Sequence, residues 1–446
     1  MLDTPKSLRL HIALAGRVNS GKSSLLNLVT GQNTAIVSPQ RGTTTDVVEK
    51  AMEFLPLGPV LWLDTAGTDD GSALGAERLK RTFAAIDRAD VLVIVTAPGV
   101  WGEPEEKLLA AARERKIRAF AVVNRCDTAT PAPEFLERLR ERCGGIAPVT
   151  AAACDPAQRD RVLAGFKAAL IEAVPEEFVE PPPLLGDLVP PGGSVVLIVP
   201  IDKEAPKGRL ILPQVQAIRD ALDHGVRVTV VRESEYAAAL ADLRTPPSLV
   251  VCDSQVVDLM VRETPPEIPC TTFSILFARL KGDIARLAAG AATIPQLRDG
   301  DRVLIAEACT HHAVDDDIGR VKIPRLLAAR SGAKLEIEVV SGRDYPADLS
   351  RYRLIVHCGS CMLNRRETLR RIELAGETPI TNYGMAISCC RGVLDRVMSP
   401  FLSPRRSAAH EYFLSSSDDK VHYKSIRFDV AAVTGGNVTF YRGDDF

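Results

Sequence analysis

One short segment near the N-terminus limits the fold more than any other feature of the sequence. The apolar run LRLHIALA begins at Leu8 and leads directly into GRVNSGKS, which begins at Gly16, and then into the helix-like segment SLLNLVTG. A strand, a glycine-rich loop and a helix in this order form a phosphate-binding loop, because the loop N–H groups and the helix N-terminus both face an anion. The sequence therefore predicts an α/β domain that binds a nucleotide.

Most residues of this loop have an expected contact with the nucleotide. Glycines turn the backbone N–H groups toward the phosphates, Lys22 reaches the β and γ oxygens, and the Ser23 hydroxyl takes Mg2+. Downstream, the sequence DTAG follows the strand-like run VLWLD, where Asp64 belongs to the Mg2+ shell and the Gly67 N–H faces a γ-phosphate. The loop residues expected to contact the nucleotide are Gly16, Asn19, Ser20, Gly21, Lys22, Ser23 and Ser24.

A second set of residues is expected to recognise the base. The segment from Asn124 to Asp127, NRCD, ends a strand and resembles the NKxD motif of GTPases, in which the carboxylate pairs with guanine. Arg125 replaces the usual lysine and keeps its charge. Thr150 and Ala151 resemble the last guanine-contact loop, and a plain strand end is the alternative.

The segment between the loop and DTAG resembles switch I of the Era and TrmE GTPases. In its sequence GTTTD, which begins at Gly42, the Mg2+-binding threonine maps to Thr44. Asn19 stands where potassium-activated members of that superfamily hold the cation, and simple loop polarity is the alternative. The candidate catalytic residues are Lys22, Thr44, Asp64 and Gly67. No glutamine follows DTAG as in Ras, so we expect slow intrinsic hydrolysis of GTP.

A proline- and glycine-rich stretch and the alternation of strand and helix patterns predict several domains. The GTP-binding domain is expected at residues 1–173, and the stretch 174–193, dense in proline and glycine, is expected to be a linker. Alternating strand and helix patterns then predict two further α/β domains, at 194–268 and 269–398. Residues 399–446 show no clear helix or strand periodicity, and no function is predicted for them. No internal repeat is visible in the sequence.

Composition excludes several classes of partner. The 446 residues carry 55 basic and 57 acidic side chains, so no global field favours nucleic acid or an anionic membrane. The apolar windows fall far short of the roughly 20 residues that a spanning helix needs, and the residues before Leu8 do not read as a signal peptide. We therefore expect a cytoplasmic protein. In a reducing compartment, ten cysteines are expected to pack, stay free or bind metal.

Cysteines and histidines follow two strands of the last α/β domain. CTHH begins at Cys309, after the strand DRVLIAEA, and HCGSC begins at His357, at the end of the strand LIVHCG. The carboxyl ends of neighbouring parallel strands meet at one edge, so three thiolates can form one metal seat. The spacing fits zinc in a Cys3His site or a cubane cluster with one iron lacking a thiolate, and a redox-active or buried C-x-x-C pair is the alternative.

The CxH and HCxxC motifs, joined in one chain to an Era-like GTPase, resemble the HydF family of maturation GTPases for di-iron (FeFe) hydrogenase. The resemblance covers residues from about 8 to 398. It implies a P-loop GTPase domain, a small α/β dimerisation domain and an α/β iron–sulfur cluster-binding domain. It also implies a 4Fe-4S cluster held by Cys309, Cys358 and Cys361. His311 and His357 are then either labile ligands of the open iron or donors to cluster sulfurs.

The same resemblance implies a function and a set of partners. The cluster would carry a transient di-iron precursor and deliver it to apo-hydrogenase, with two radical-SAM maturases as suppliers. We also expect the protein to form a homodimer and to bind GTP, Mg2+ and K+. The alternative is a ribosome- or tRNA-associated GTPase of the Era and TrmE group with a structural zinc, which the balanced charge disfavours. A third reading is an adaptor with a degenerate metal site, which the intact ligand set opposes.

Overall fold

Runs of β-branched and aliphatic residues predict strands that are buried on both faces, and the computed structural model of the protein has such strands in each of its units. The chain divides into two compact units, Met1–Pro181 and Pro182–Phe446. The structure describes residues 4–31, 47–69, 73–179, 181–201, 210–308, 317–342, 345–346, 348–402, 430–434 and 437–441. Within those ranges, no helix combines the length and apolar composition that crossing a membrane requires.

The first unit is a six-stranded sheet with helices on both faces. Its strands are β1 (Leu10–Ala15), β2 (Val48–Phe54), β3 (Gly58–Asp64), β4 (Val91–Thr96), β5 (Arg118–Val123) and β6 (Val149–Thr150). Its helices are α1 (Lys22–Thr30), α2 (Ala73–Ile86), α3 (Glu103–Glu114), α4 (Pro133–Arg142), α5 (Arg159–Ala173) and α6 (Glu176–Val179).

The strand order in this sheet is β2-β3-β1-β4-β5-β6. All strands are parallel except β2, which pairs antiparallel with β3 at the edge. No strand is predicted here, because the run VEKAMEF has neither a continuous apolar stretch nor strict alternation of apolar and polar residues. The predicted α/β domain is confirmed, and its sheet is mixed.

Aromatic side chains fill one face of this sheet. Trp62, Phe120 and Phe166 are fully buried, and Phe54 meets Trp62 edge-on with ring centroids 5.5 Å apart. Phe166 of α5 lies 5.3 Å from Phe120 in a similar arrangement. Burying each such ring contributes about 2–3 kcal/mol. This packing fixes α5 and the central strands, and with them the loops at the strand ends.

The second unit contains two four-stranded parallel sheets and a short hairpin. The first sheet consists of β7 (Ser194–Ile198), β8 (Arg227–Val231), β9 (Leu249–Cys252) and β10 (Cys270–Thr272). The second consists of β11 (Arg302–Glu307), β12 (Glu336–Ser341), β13 (Leu354–His357) and β14 (Ile380–Asn382). The hairpin strands are β15 (Val430–Thr434) and β16 (Asn437–Tyr441). The helices are α7 (Leu212–Asp223), α8 (Tyr236–Asp242), α9 (Val257–Glu263), α10 (Phe273–Lys281), α11 (Ile284–Ala292), α12 (Ile323–Ser331), α13 (Arg365–Leu374), α14 (Tyr383–Cys390) and α15 (Leu394–Leu402).

These two sheets have the same topology. The first sheet, read from the β8 edge, has the order β8-β7-β9-β10, and the second, read from the β12 edge, has the order β12-β11-β13-β14. In both sheets the second strand in chain order is at one edge, followed by the first, the third and the fourth. The strand-to-helix turns also correspond, since Thr272 caps α10 and Asn382 caps α14 through their side chains. The second unit is therefore an internal structural repeat, which the sequence analysis did not detect.

The two halves of this repeat exchange a helix. Helix α11 follows the first sheet along the chain but packs along β14, the edge strand of the second sheet. Helix α15 follows the second sheet and packs along β10, the edge strand of the first. Each half thus covers an exposed strand edge of the other, which prevents that edge from pairing with another chain.

Two predicted domain boundaries need correction. The boundary at residue 268 is wrong, because β10 at Cys270–Thr272 completes the sheet of β7, β8 and β9. The predicted linker 174–193 contains helix α6, and its side chains Leu184 and Leu185 are buried in the core of the second unit. Beyond α6, the prolines of this stretch interrupt regular structure without preventing side-chain burial.

We expect opposite effects from the same substitution at two helical glycines. A Cβ at Gly290 in α11 would lie 2.0 Å from the Ile380 carbonyl oxygen, so Gly290→Ala must push α11 away from β14. This change should lower the free energy of unfolding by about 2 kcal/mol. Gly165 in α5 is exposed, and its Cβ would make an ordinary contact of 3.5 Å with Val149, so Gly165→Ala should raise stability by up to about 1 kcal/mol. Chemical denaturation followed by circular dichroism measures both, and an unchanged Gly290→Ala protein would contradict the close packing of α11.

Candidate functional site

The phosphate-binding loop connects β1 to α1 and needs glycine where it turns. Gly16 has φ 152°, and a Cβ there would lie 2.1 Å from the carbonyl oxygen of Val95. Lys22 is 7% exposed, and its ammonium donates to the carbonyls of Gly16 at 3.1 Å and Arg17 at 2.9 Å. The lysine is therefore held inside the loop with its charge directed at the loop's own concavity.

Strand β3 brings its last residue to the start of α1. The Ser23 hydroxyl donates to Asp64 Oδ2 at 2.8 Å, and Asp64 is 1% exposed. Burial, the largest cause, raises the pKa of Asp64, and the Ser23 hydrogen bond and the Lys22 charge oppose that rise. Asp64 Oδ1 is buried without a hydrogen-bond partner among the described residues. An orphaned carboxylate oxygen beside a serine hydroxyl fits the oxygen ligands that Mg2+ takes. Thr44, the third predicted ligand, lies outside the described residues.

Asn124 joins three loops at the carboxyl edge of the sheet. It is 2% exposed, its Nδ2 donates to the Ser20 carbonyl at 3.0 Å, and its Oδ1 accepts from the Ala153 N–H at 2.9 Å. Asn124 thus braces the phosphate loop against the loop after β6, and its contact with the nucleotide stays a prediction. Asp127 stays exposed nearby, and Ala151 accepts from the Cys126 N–H at 3.0 Å.

A cavity opens between the phosphate loop and the NRCD segment. It measures about 140 Å³ and is lined by Asn19, Ser20, Thr96 and Arg125 among others. Asn19 has a positive φ of 61° and stands at the mouth of this cavity. The structure thus brings Asn19 and Ser20 of the phosphate loop and Arg125 of the NRCD segment to one pocket.

The sequence analysis missed two acidic residues of this site. Glu105 of α3 is fully buried and accepts two hydrogen bonds from the Arg17 guanidinium, at 2.8 and 3.0 Å. Asp69 accepts from the Val18 N–H at 2.6 Å. The available signals were an acidic residue at the start of α3 and another two positions after DTAG, and neither spacing predicts a contact with a loop so distant in sequence.

The C-x-x-C turn follows β13 in the second unit. Residue Ala306 pairs with His357 in the parallel register, and the Ala308 N–H donates to Cys358 Sγ at 3.1 Å. Ala308 precedes Cys309, which lies outside the described residues, as does His311. Within the described residues, no group of three or more His, Cys, Asp or Glu side chains is arranged to hold a metal ion. A backbone N–H directed at a cysteine sulfur is nonetheless the contact that iron–sulfur sites use to stabilise thiolates.

His357 is buried, and both of its ring nitrogens have partners. Arg371 can only donate, so its contact with Nε2 at 3.2 Å requires Nε2 to accept, and Nδ1–H then donates to the Cys358 carbonyl at 3.0 Å. Burial and the Arg371 charge lower the pKa of His357 to about 4, which keeps the ring neutral. This arrangement favours a role in positioning the turn over a role as metal ligand.

Three family models match the chain. Residues 11–125 match a family described as 50S ribosome-binding GTPase. Residues 184–282 match the Hydrogen maturase F dimerization domain, and residues 285–400 match the Hydrogen maturase F tetramerization domain. The last two cover both halves of the structural repeat.

Two curated relatives match about a third or less of the chain. GTPase Der of Persephonella marina is 37% identical over 142 residues, which are 31% of this chain and 32% of that protein. The tRNA modification GTPase MnmE of Synechococcus sp. (strain JA-3-3Ab) is 44% identical over 125 residues, or 27% of this chain and 26% of that protein. The chain thus spans about a third or less of the length of these relatives. Among solved structures, Aquifex aeolicus Era bound to GDP.AlF4- is 20% identical and covers 50% of this chain and 92% of its own, with a TM-score of 0.32.

Lys22 makes the affinity of the first site for a nucleoside triphosphate depend on pH. Burial is the largest cause that lowers the pKa of Lys22, to about 8, so the ammonium is charged below that pH and increasingly neutral above it. We expect affinity for a non-hydrolysable GTP analogue to be constant near neutral pH and to fall by about tenfold from about pH 7 to about pH 9.

The matched control is Lys22→Arg, because a guanidinium does not deprotonate in this range. Its affinity should be lower than that of the unmodified protein but independent of pH. Titration calorimetry measures both proteins, and an equal pH slope in Lys22→Arg would assign the slope to another group.

Proposed function

The chain belongs to the hydrogen maturase F family, and we propose that it is a GTPase that carries a 4Fe-4S cluster, receives a di-iron precursor on it and delivers that precursor to apo-hydrogenase. The observation that carries this proposal is the C-x-x-C turn at the carboxyl end of β13, against which the strand leading to Cys309 directs a backbone N–H. The alternative, a ribosome- or tRNA-associated GTPase, draws support from residues 11–125 and leaves the two maturase domains unexplained.

In the first unit, the proposed reaction is hydrolysis of GTP. Lys22 directs positive charge at the β and γ oxygens, the Gly67 N–H faces the γ-phosphate, and Asp127 pairs with guanine. Ser23, Asp64 and Thr44 would hold Mg2+, which when bound neutralises the phosphate oxygens. Asn19, at the mouth of the cavity, is the proposed ligand of K+.

In the second unit, the proposed cluster site is a seat of three thiolates. Cys309, Cys358 and Cys361 would hold the 4Fe-4S cluster, and its fourth iron, which lacks a thiolate, would supply an exchangeable position for the cargo. His357 orients the turn through its hydrogen bond to the Cys358 carbonyl. The di-iron precursor would arrive from two radical-SAM maturases and leave to apo-hydrogenase.

Self-association fits the family descriptions, and we assign the dimer contact to the edge strand β8. Val230 on β8 is 44% exposed, and Val215 and Leu222 on the neighbouring helix α7 are exposed as well. The equivalent edge of the second sheet, β12, carries Glu336 and Glu338, which pair with arginines of its own half. An apolar edge invites a second copy of the chain, whereas a charged edge resists pairing.

The function is tested by separating its two sites. Lys22→Ala should reduce GTP hydrolysis by about 100-fold or more and leave cluster content unchanged. Cys358→Ala should lose the cluster and the activation of apo-hydrogenase while GTP hydrolysis stays within about twofold. Cys154→Ala, which alters an exposed cysteine of the first unit, is the matched control and should change neither GTP hydrolysis nor cluster content.

Phosphate release from GTP and from ATP, together with iron and sulfide analysis after anaerobic reconstitution, measures these outcomes. Stoichiometric zinc without iron, a full cluster in Cys358→Ala, or equal turnover of ATP would refute the proposal.

The dimer contact is tested by placing a charge on the β8 edge. Val230→Glu should weaken self-association by about tenfold or more, because the carboxylate must be desolvated beside its symmetry copy. Ile171→Glu is the control, since Ile171 is 47% exposed on α5 of the first unit, outside the proposed contact. Analytical ultracentrifugation over a concentration series measures both variants, and an unchanged association constant for Val230→Glu would exclude β8.

A further inference from the structure

A buried lysine connects the two halves of the structural repeat beneath the C-x-x-C turn. Lys281 is the last residue of α10 in the first half and is 3% exposed. Its ammonium donates to the carbonyls of Leu363 at 2.8 Å, Ser360 at 3.2 Å and Cys361 at 3.4 Å, all of which belong to the turn in the second half. The three N–H donors of the ammonium therefore have three acceptors in one short segment.

A second contact ties the same segments together in the opposite direction. The Arg365 guanidinium, at the start of α13, donates to the Leu280 carbonyl at 2.9 Å. Between these two contacts, Ser360 has a positive φ of 56°, a conformation that costs about 1 kcal/mol for a residue other than glycine. The hydrogen bonds from Lys281 offset that cost by binding the carbonyl of the strained residue itself and the carbonyls of Cys361 and Leu363 that follow it.

The charge of Lys281 has an unusual environment. Among the described residues, no carboxylate forms an ion pair with this ammonium, and the ionisable groups beside it are those of Cys361 and Cys358. Buried lysines are rarely left without an anionic partner. Cluster binding by these cysteines, as proposed, would supply the negative charge that this site otherwise lacks.

We infer that Lys281 is a positioning residue of the cysteine turn, which holds the backbone of residues 360–363 from the neighbouring half and offsets the negative charge of the thiolates and their cluster. The inference rests on the proposed function for its second part alone. The first part, the hold on the backbone, concerns the metal-free protein.

Three substitutions separate the hydrogen bonds from the charge. Lys281→Met keeps the length of the side chain and removes both, Lys281→Gln keeps an N–H donor without charge, and Lys281→Arg keeps both. Lys334→Met is the matched control, because Lys334 is an exposed lysine of the same unit. If Lys281→Met does not give folded protein by circular dichroism, Lys281→Gln takes its place in each comparison.

The backbone role is measured without metal. In hydrogen–deuterium exchange of the metal-free, reduced full-length protein, peptides that span residues 358–363 should exchange about tenfold faster or more in Lys281→Met. Lys281→Arg and Lys334→Met should match the unmodified protein. Unchanged exchange in Lys281→Met would overturn the backbone role, whatever metal the protein binds.

The charge role is measured on the reconstituted protein. The midpoint reduction potential of the cluster should become more negative in Lys281→Met and Lys281→Gln, since removing a nearby positive charge disfavours the added electron, and Lys281→Arg should restore it. A potential that does not move in Lys281→Met would overturn the charge role, because a loosened turn alone predicts loss of cluster rather than a shift restored by arginine. Unmodified protein that takes up no iron would refute the proposed function and leave the exchange result standing.

Discussion

Every functional loop described in this protein leaves the carboxyl end of a parallel strand, and the hydrogen bonding between those strands fixes where the loops meet. In the first unit, the pairing of β1 with β3 places Asp64 within 2.8 Å of Ser23, and Asn124 at the end of β5 reaches the phosphate loop. In the second unit, the pairing of β11 with β13 sets Ala308 against Cys358. The backbone register thus determines both sites before any ligand contributes.

Both sites are built from buried polar groups whose states are set by loss of water. Lys22 and Asp64 are both buried at the phosphate loop. Burial lowers the pKa of Lys22 and raises the pKa of Asp64, so it favours the neutral form of each side chain. His357 is neutral for the same reason and presents fixed hydrogen bonds to the cysteine turn. Groups of this kind are costly unless a ligand or a neighbouring dipole compensates them. The compensation described here comes from neighbouring groups: the Ser23 hydroxyl beside Asp64, the loop carbonyls around Lys22, and the Cys358 carbonyl and Arg371 beside His357.

Sequence patterns predicted the parts of the fold that depend on local order. The predicted strand VLWLD forms the end of β3, and the DTAG spacing predicted the approach of Asp64 to Ser23. Contacts between segments far apart in sequence were not predictable in this way. The antiparallel pairing of β2, the completion of a sheet by β10 and the Arg371–His357 contact each depend on tertiary packing, and no local period encodes them. Thr44, Cys309 and His311 lie outside the described residues and stay predictions.

The exchange of α11 and α15 between the halves of the repeat has a consequence for how this unit is divided. The family descriptions split it into a dimerization part and a tetramerization part, at residues 282 and 285. That cut keeps α11 with β14, which it covers, but it separates β10 from the helix α15 that covers it and leaves that sheet edge bare. The first part alone would expose the β10 edge, which is open to pairing with another chain. Residues 184–400 therefore form one structural unit that cannot be divided at this boundary without baring a strand edge.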